Sequence, residues 1–232
     1  QNKEKPFFVY LPHTMIHEPL AASEAFKGKS ASGLLGDVIE EIDWSVGQVM
    51  KTIKELGLDE KTLVIFTSDN GPDMGSAGPF RGKKGSNFEG GVREPCIMRW
   101  PGKIPAGTQC SQIAGNIDVL PTLASIAGAK LDPKQIIDGR DISTLMMDDK
   151  AGPVRDVHLY CTANLKNPVQ AIRMGEWKLF LPDLDEGGAA KKKKGNAPQG
   201  NMLFNLEKDP GETTNVFDKN PEIVEKLRKE AR

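Results

Sequence analysis

The sequence predicts an α/β protein: a mostly parallel or mixed sheet with its helices, followed by a small antiparallel sheet packed by a terminal helix. Two observations carry this reading. First, apolar runs of strand length, Phe7-Phe8-Val9-Tyr10-Leu11 and Leu63-Val64-Ile65-Phe66, lie on either side of a long segment with helical apolar spacing. Strand, helix, strand is the pattern of a parallel crossover. Second, from about Val154 the chain changes to short alternating or apolar runs and then ends in a helix-like segment. The division expected is therefore residues 1–152 for the larger α/β part and 153–232 for a small α+β part.

Taken in order, residues 6–11 read as a buried strand stopped by Pro12, followed by a loop holding His13 and His17. Such a strand needs neighbours on both sides, so the chain starts as if in the middle of a domain, and upstream sequence is expected. Leu34, Leu35, Val38, Ile39, Ile42, Val46, Val49, Met50, Ile53 and Leu56 share one helical face, and Gly57 is placed to close that helix. Residues 62–67 form the next strand. The stretch from Gly71 to Gly91 is rich in Gly, Pro and Ser and reads as a long loop, a kind of segment that usually serves function. Residues 96–100 read as a strand, and Asp118 as the cap of a helix that Gly128 closes. Strands are expected at 157–160, 169–174, 177–181 and 202–206, and a helix from Pro221. The run Lys191-Lys192-Lys193-Lys194 between glycines reads as a solvated, flexible insertion.

Composition narrows the function classes. The 232 residues include 31 basic and 32 acidic side chains, for a formal charge of −1, which gives no footing for a nucleic-acid or membrane-surface partner. No apolar run approaches the roughly 20 residues of a membrane span. Cys96, Cys110 and Cys161 are widely spaced and odd in number, so they fit neither a disulfide framework nor a zinc module; free, buried thiols are expected.

In open parallel sheets ligands gather beyond the carboxyl ends of strands. Asp69-Asn70 stands just past such an end and offers a carboxylate beside an amide carbonyl, hard oxygens suited to Ca²⁺ or Mg²⁺. The same residues could merely shape an Asx turn before Gly71-Pro72. Lys84 and His17 fit the needs of an ester hydrolase, a cation for the non-bridging oxygens and a proton for the leaving oxygen. Each also has an ordinary reading, as a solvated lysine and as a loop histidine bonded to backbone.

A larger arrangement of motifs is more specific. Phe7-Phe8-Val9-Tyr10-Leu11-Pro12-His13, His17-Glu18-Pro19, Val64-Ile65-Phe66-Thr67-Ser68-Asp69-Asn70-Gly71-Pro72, Gly82-Lys83-Lys84-Gly85 and Phe88-Glu89-Gly90-Gly91-Val92-Arg93-Glu94-Pro95 closely resemble the type I sulfatase family. Trp100-Pro101-Gly102, Asp118-Val119-Leu120-Pro121-Thr122-Leu123 and Asp209-Pro210-Gly211-Glu212 extend the match over nearly the whole chain. The resemblance implies an alkaline-phosphatase-like sandwich and hydrolysis of sulfate monoesters, the substrate being a sulfated small molecule or carbohydrate. It implies that Asp69 and Asn70 ligate a divalent cation, commonly Ca²⁺ and alternatively Mg²⁺. It further implies that Lys84 holds sulfate oxygens and that His17 contacts the sulfate and leaving group. Lys83 and His13 are the weaker counterparts, and Glu89 and Arg93 are structural supports of the loop. Family members are mostly exported, so periplasmic, secreted or lysosomal placement follows from the resemblance alone.

The family also carries, well upstream, two further metal-binding aspartates and a Cys/Ser-x-Pro-x-Arg segment whose first residue becomes the formylglycine nucleophile. Here Cys96 is followed by Ile97-Met98-Arg99, Cys110 by Ser111-Gln112-Ile113 and Cys161 by Thr162-Ala163-Asn164, so none begins that segment. The expectation is a C-terminal portion of a sulfatase with negligible turnover by itself. A phosphonate or phosphodiester hydrolase of the same superfamily and a non-catalytic module on the sulfatase scaffold are the alternatives.

Overall fold

The computed structural model describes residues 4–161, 169–181 and 200–231. The chain divides into two compact units, one of residues 1–64 with 99–103 and one of residues 65–98 with 104–232.

The first unit is dominated by helix α1, Gly33–Glu55. Its end follows from the sequence: Gly57 takes a φ of 66°, and the N–H groups of Gly57 and Leu58 return to the carbonyls of Lys54 and Ile53. This is the Schellman closure, which a residue with a Cβ adopts only at a steric cost. At the other end the buried Asp37 carboxylate accepts the backbone N–H groups of Gly28, Lys29 and Ser30, tying the preceding turn to the helix. Arg99 makes a two-pronged pair with Asp59 at 2.7 and 2.8 Å.

Residues 6–11 correct the sequence reading. They are not a buried strand: Phe7 to Leu11 are 52–79% exposed, and no described strand hydrogen-bonds to them. The apolar run has the composition of a central strand, but a strand exists only through its neighbours, and among the described residues none lies beside it. The strand, helix, strand crossover therefore lacks its first strand here.

The second unit holds the paired strands β1, Val64–Thr67 (its first residue belonging to the first unit), and β2, Cys96–Arg99, whose last residue does likewise. The short helix α2, Glu89–Val92, lies between them in sequence. Helix α3, Val119–Ile126, ends at Gly128 with the closure seen at Gly57. Asp118 does not cap it. Its side chain turns away to accept the N–H groups of Gly115 and Arg140 and to pair with the buried Arg155, a use that local sequence does not reveal. Helix α4, Ser143–Met147, follows.

The C-terminal part has the expected architecture. Strands β3 (Val157–Cys161), β4 (Val169–Met174), β5 (Trp177–Phe180) and β6 (Met202–Asn205) form an antiparallel sheet in sequence order. Alternation divides its side chains between two faces. Ile172, Leu179 and Leu203 lie opposite one another across the strands and pack on Val224 and Leu227 of helix α5, Pro221–Glu230. Ala171, Phe180 and Phe204 turn the other way and pack on Phe88. Leu227 is fully buried, and Leu227→Ala is expected to cost about 2–5 kcal/mol of stability, read by urea unfolding.

All three cysteines are free, as expected, but exposed, which corrects the expectation of burial. Cys96 opens β2, Cys161 ends the edge strand β3 and Cys110 lies outside helices and strands, positions where packing on all sides is not available. The lysine run 191–194 lies outside the described residues.

Candidate sulfate-binding loop and metal ligands

Beyond the end of β1 the backbone passes through Asp69 and Asn70 and turns against the loop that carries Lys84. Gly71 N–H donates to the Gly91 carbonyl at 3.0 Å, and Lys84 N–H donates to the Pro72 carbonyl at 3.1 Å. The approach is so close that glycine is required: a Cβ on Gly71 would overlap the Gly90 carbonyl oxygen, and within the loop a Cβ on Gly90 would lie 2.5 Å from the Gly82 carbonyl oxygen and 2.6 Å from that of Arg81. The glycines read from sequence as loop composition are thus contact points between backbones. They bring Asp69, Asn70 and Lys84 into one loop framework.

Asn70 Nδ2 donates to Asp69 Oδ2 at 2.7 Å, and Ser68 Oγ donates to the Asn70 carbonyl. The amide hydrogen bond consumes the Asn70 nitrogen and leaves the amide oxygen available, so the pair presents carboxylate and carbonyl oxygens, the donor types of a hard cation. Among the described residues no group of three or more His, Cys, Asp and Glu side chains is placed to hold a metal. The two residues fit part of a Ca²⁺ shell, which takes about 6–8 oxygens, and not a whole one. Nearby, burial and then the negative charges of Asp69 and Glu89 hold the Glu94 carboxyl above the usual range.

His17 belongs to the first unit; its Nδ1 lies 2.9 Å from the Glu18 carbonyl, the backbone-bonded loop histidine that the sequence left open. Lys83 Nζ donates to the Asp73 carbonyl at 3.4 Å, while both Lys83 and Lys84 are exposed.

The residues that hold the loop are the ones sequence reasoning left incomplete. Glu89 is buried, and its Oε1 accepts from Lys178 Nζ at 2.9 Å, with the Tyr160 hydroxyl at 3.5 Å. Arg93 and Arg173 lie 3.7 and 3.9 Å from its other oxygen, so the supporting role read for Glu89 and Arg93 has a physical form. Lys178, fully buried, also pairs at 3.0 Å with the fully buried Glu212. Burial and then the Glu89 charge push the Tyr160 hydroxyl above its ordinary range, which keeps it a neutral donor. The signal for Lys178 was present: in Trp177-Lys178-Leu179-Phe180 a lysine takes a position that alternation turns inward, on the same face as Phe180 and Phe204.

A sulfatase family model matches residues 1–129, more than half of the chain, and a model for the N-sulphoglucosamine sulphohydrolase C-terminal region matches residues 82–186. The chain belongs to the sulfatase family. It is 37% identical to mouse steryl-sulfatase over 91% of its length and 38% of that protein. It is 35% identical to human arylsulfatase A over 98% of its length and 48% of that protein. A solved protein from a study of glycosaminoglycan metabolism by Bacteroides thetaiotaomicron superposes with a TM-score of 0.81 at 32% identity, over 98% of this chain and 50% of that one. The fold is thus part of the alkaline-phosphatase-like sulfatase architecture, and the chain spans about half or less of the length of these relatives. No described helix is long and apolar enough to cross a membrane.

Proposed function

We propose that this chain is the C-terminal portion of a sulfatase that hydrolyses sulfate monoesters, and that it contributes Asp69, Asn70, Lys84 and His17 to the centre. The observation that supports this most is the joining of Asp69-Asn70 to the Lys84 loop through the Gly71–Gly91 and Lys84–Pro72 backbone bonds. The division at about residue 152 is part of the proposal, residues 1–152 bearing the site and 153–232 buttressing it.

In this mechanism Lys84 is a fixed positive charge against the non-bridging sulfate oxygens, where charge grows as the ester bond breaks. Asp69 and Asn70 would hold a divalent cation, Ca²⁺ or alternatively Mg²⁺, through one carboxylate and one amide oxygen, and the chemistry such an ion would supply is charge neutralisation at the sulfate. His17, whose Nδ1–H donates to the Glu18 carbonyl, has Nε2 left to help hold the leaving oxygen or, as the imidazolium, to give it the Nε2 proton. The attacking group, formylglycine in this family, comes from upstream of residue 1. The relatives' names support a sulfated small molecule or carbohydrate as substrate.

The test is to express the chain with its upstream half and compare an aryl sulfate with the matching aryl phosphate and phosphonate. Turnover of the sulfate at a kcat/KM well above the other two is expected. Preference for a phosphorus ester would overturn the reading, and so would inactivity of a folded protein that carries formylglycine.

A further inference from the structure

We propose that Glu212 is a positioning residue for Lys84, holding both ends of the loop that carries it; the inference rests on the reading of Lys84 as a sulfate-binding group. Lys84 lies between Arg81 and Glu89, and Glu212 binds both. Its carbonyl accepts Arg81 Nη1 at 3.0 Å, and its side-chain Oε2 accepts the backbone N–H of Glu89 at 2.6 Å. Beside these anchors the loop closes on itself through Gly90 N–H to the Arg81 carbonyl at 2.7 Å.

The turn that presents Glu212 is itself fixed. The Asp209 carboxylate accepts the N–H groups of Thr213 and Thr214 at 2.9 and 2.8 Å, and Glu212 N–H returns to the Asp209 carbonyl. A Cβ on Gly211 would stand 2.9 Å from the Pro79 carbonyl oxygen, so the turn abuts the start of the same loop. Glu212 takes a φ of 52°, the only described non-glycine residue at positive φ, a conformation that persists where the surroundings impose it. The second carboxylate oxygen faces Lys178, which also holds Glu89. One residue thereby ties the Arg81 side chain on one side of Lys84 and the Glu89 backbone on the other, while its own turn and charge are fixed by others. Group placement within a fraction of an ångström governs rate, and a shift of about 1 Å costs on the order of 100-fold.

The experiment measures aryl sulfate kinetics in the chain joined to its upstream half. Glu212→Ala, Glu212→Gln and Arg81→Met are made singly, and Glu212→Ala and Arg81→Met are each combined with Lys84→Gln. Glu212→Ala and Arg81→Met are expected to lower kcat/KM by about 10- to 100-fold. Glu212→Gln, which keeps an acceptor for the Glu89 N–H, retains most of the activity. In the Lys84→Gln background neither substitution lowers the residual rate further, because the group they position is gone. Arg81→Met leaves the buried ion pairs intact and serves if Glu212→Ala does not fold. Unchanged kcat/KM in Arg81→Met, or losses that multiply in full with that of Lys84→Gln, would overturn the proposal. Full activity of Lys84→Gln alone would overturn the assignment of Lys84 and this proposal with it, an outcome visible before any Glu212 variant is read.

Discussion

Lys178→Met is expected to destabilise the protein by about 3–5 kcal/mol, read as a fall in the urea midpoint. Lys178 is fully buried between Glu89 and Glu212, and its ammonium is the nearest cation to both carboxylates, at 2.9 and 3.0 Å. Methionine matches the stem but leaves two buried carboxylates with like charges, Glu89 keeping only the more distant Arg93 and Arg173 at 3.7 and 3.9 Å and Glu212 losing its ammonium partner. One of them must then take up a proton or draw in water, and burial already pushes the Glu212 carboxyl above the usual range. Restoring charge balance should recover part of the loss, so Lys178→Met with Glu212→Gln is expected to be more stable than Lys178→Met alone. A midpoint within experimental error of wild type for Lys178→Met would contradict the role given to this cluster.

Lys84→Ala, in the protein joined to its upstream half, is expected to lower kcat for an aryl sulfate by about 10²–10³-fold. The residue is exposed, and its backbone N–H bond to Pro72 survives the substitution, so the folded state should be little changed. The loss is assigned to the missing charge against the sulfate oxygens. Lys84→Arg keeps that charge but presents a planar fork in place of a point charge, so only partial activity is expected. The neighbouring Lys83→Ala, whose ammonium is engaged with the Asp73 carbonyl, should change kcat far less.

Much of the fold was legible because local pattern and tertiary role agree. Helix α1 shows its apolar spacing and its terminal Gly57 in the sequence. The four strands and α5 show period-2 and period-3.6 patterns that survive in the structure because each element keeps one face on a core. Residues 6–11 mislead for the opposite reason: apolar content reports what a strand would bury, and pairing needs a neighbour that the pattern does not supply. Asp118 misleads because a carboxylate ahead of a helix suits both a cap and an ion pair, and its partner Arg155 is 37 residues away.

The site divides in the same manner. Asp69, Asn70 and Lys84 are proposed through their motifs, and the glycines between them are what joins those motifs in space. Glu89 was readable as a support. Lys178 showed in the sequence only as an inward-facing lysine, and its joining with Glu212 on Glu89 was not legible, since they meet Glu89 across 89 and 123 positions and no local rule connects residues so far apart.

The most direct test of the central claim is a calcium titration, by calorimetry, of the protein joined to its upstream half, with and without Asp69→Ala. Two of the oxygens around the ion are assigned to Asp69 and Asn70, and in a shell of about 6–8 the loss of a charged one weakens binding strongly. Wild type should bind one Ca²⁺, and Asp69→Ala should bind it at least about 10-fold more weakly, a loss of about 1.4 kcal/mol or more. Equal affinity and stoichiometry in the two proteins would contradict the assignment of this pair to the metal.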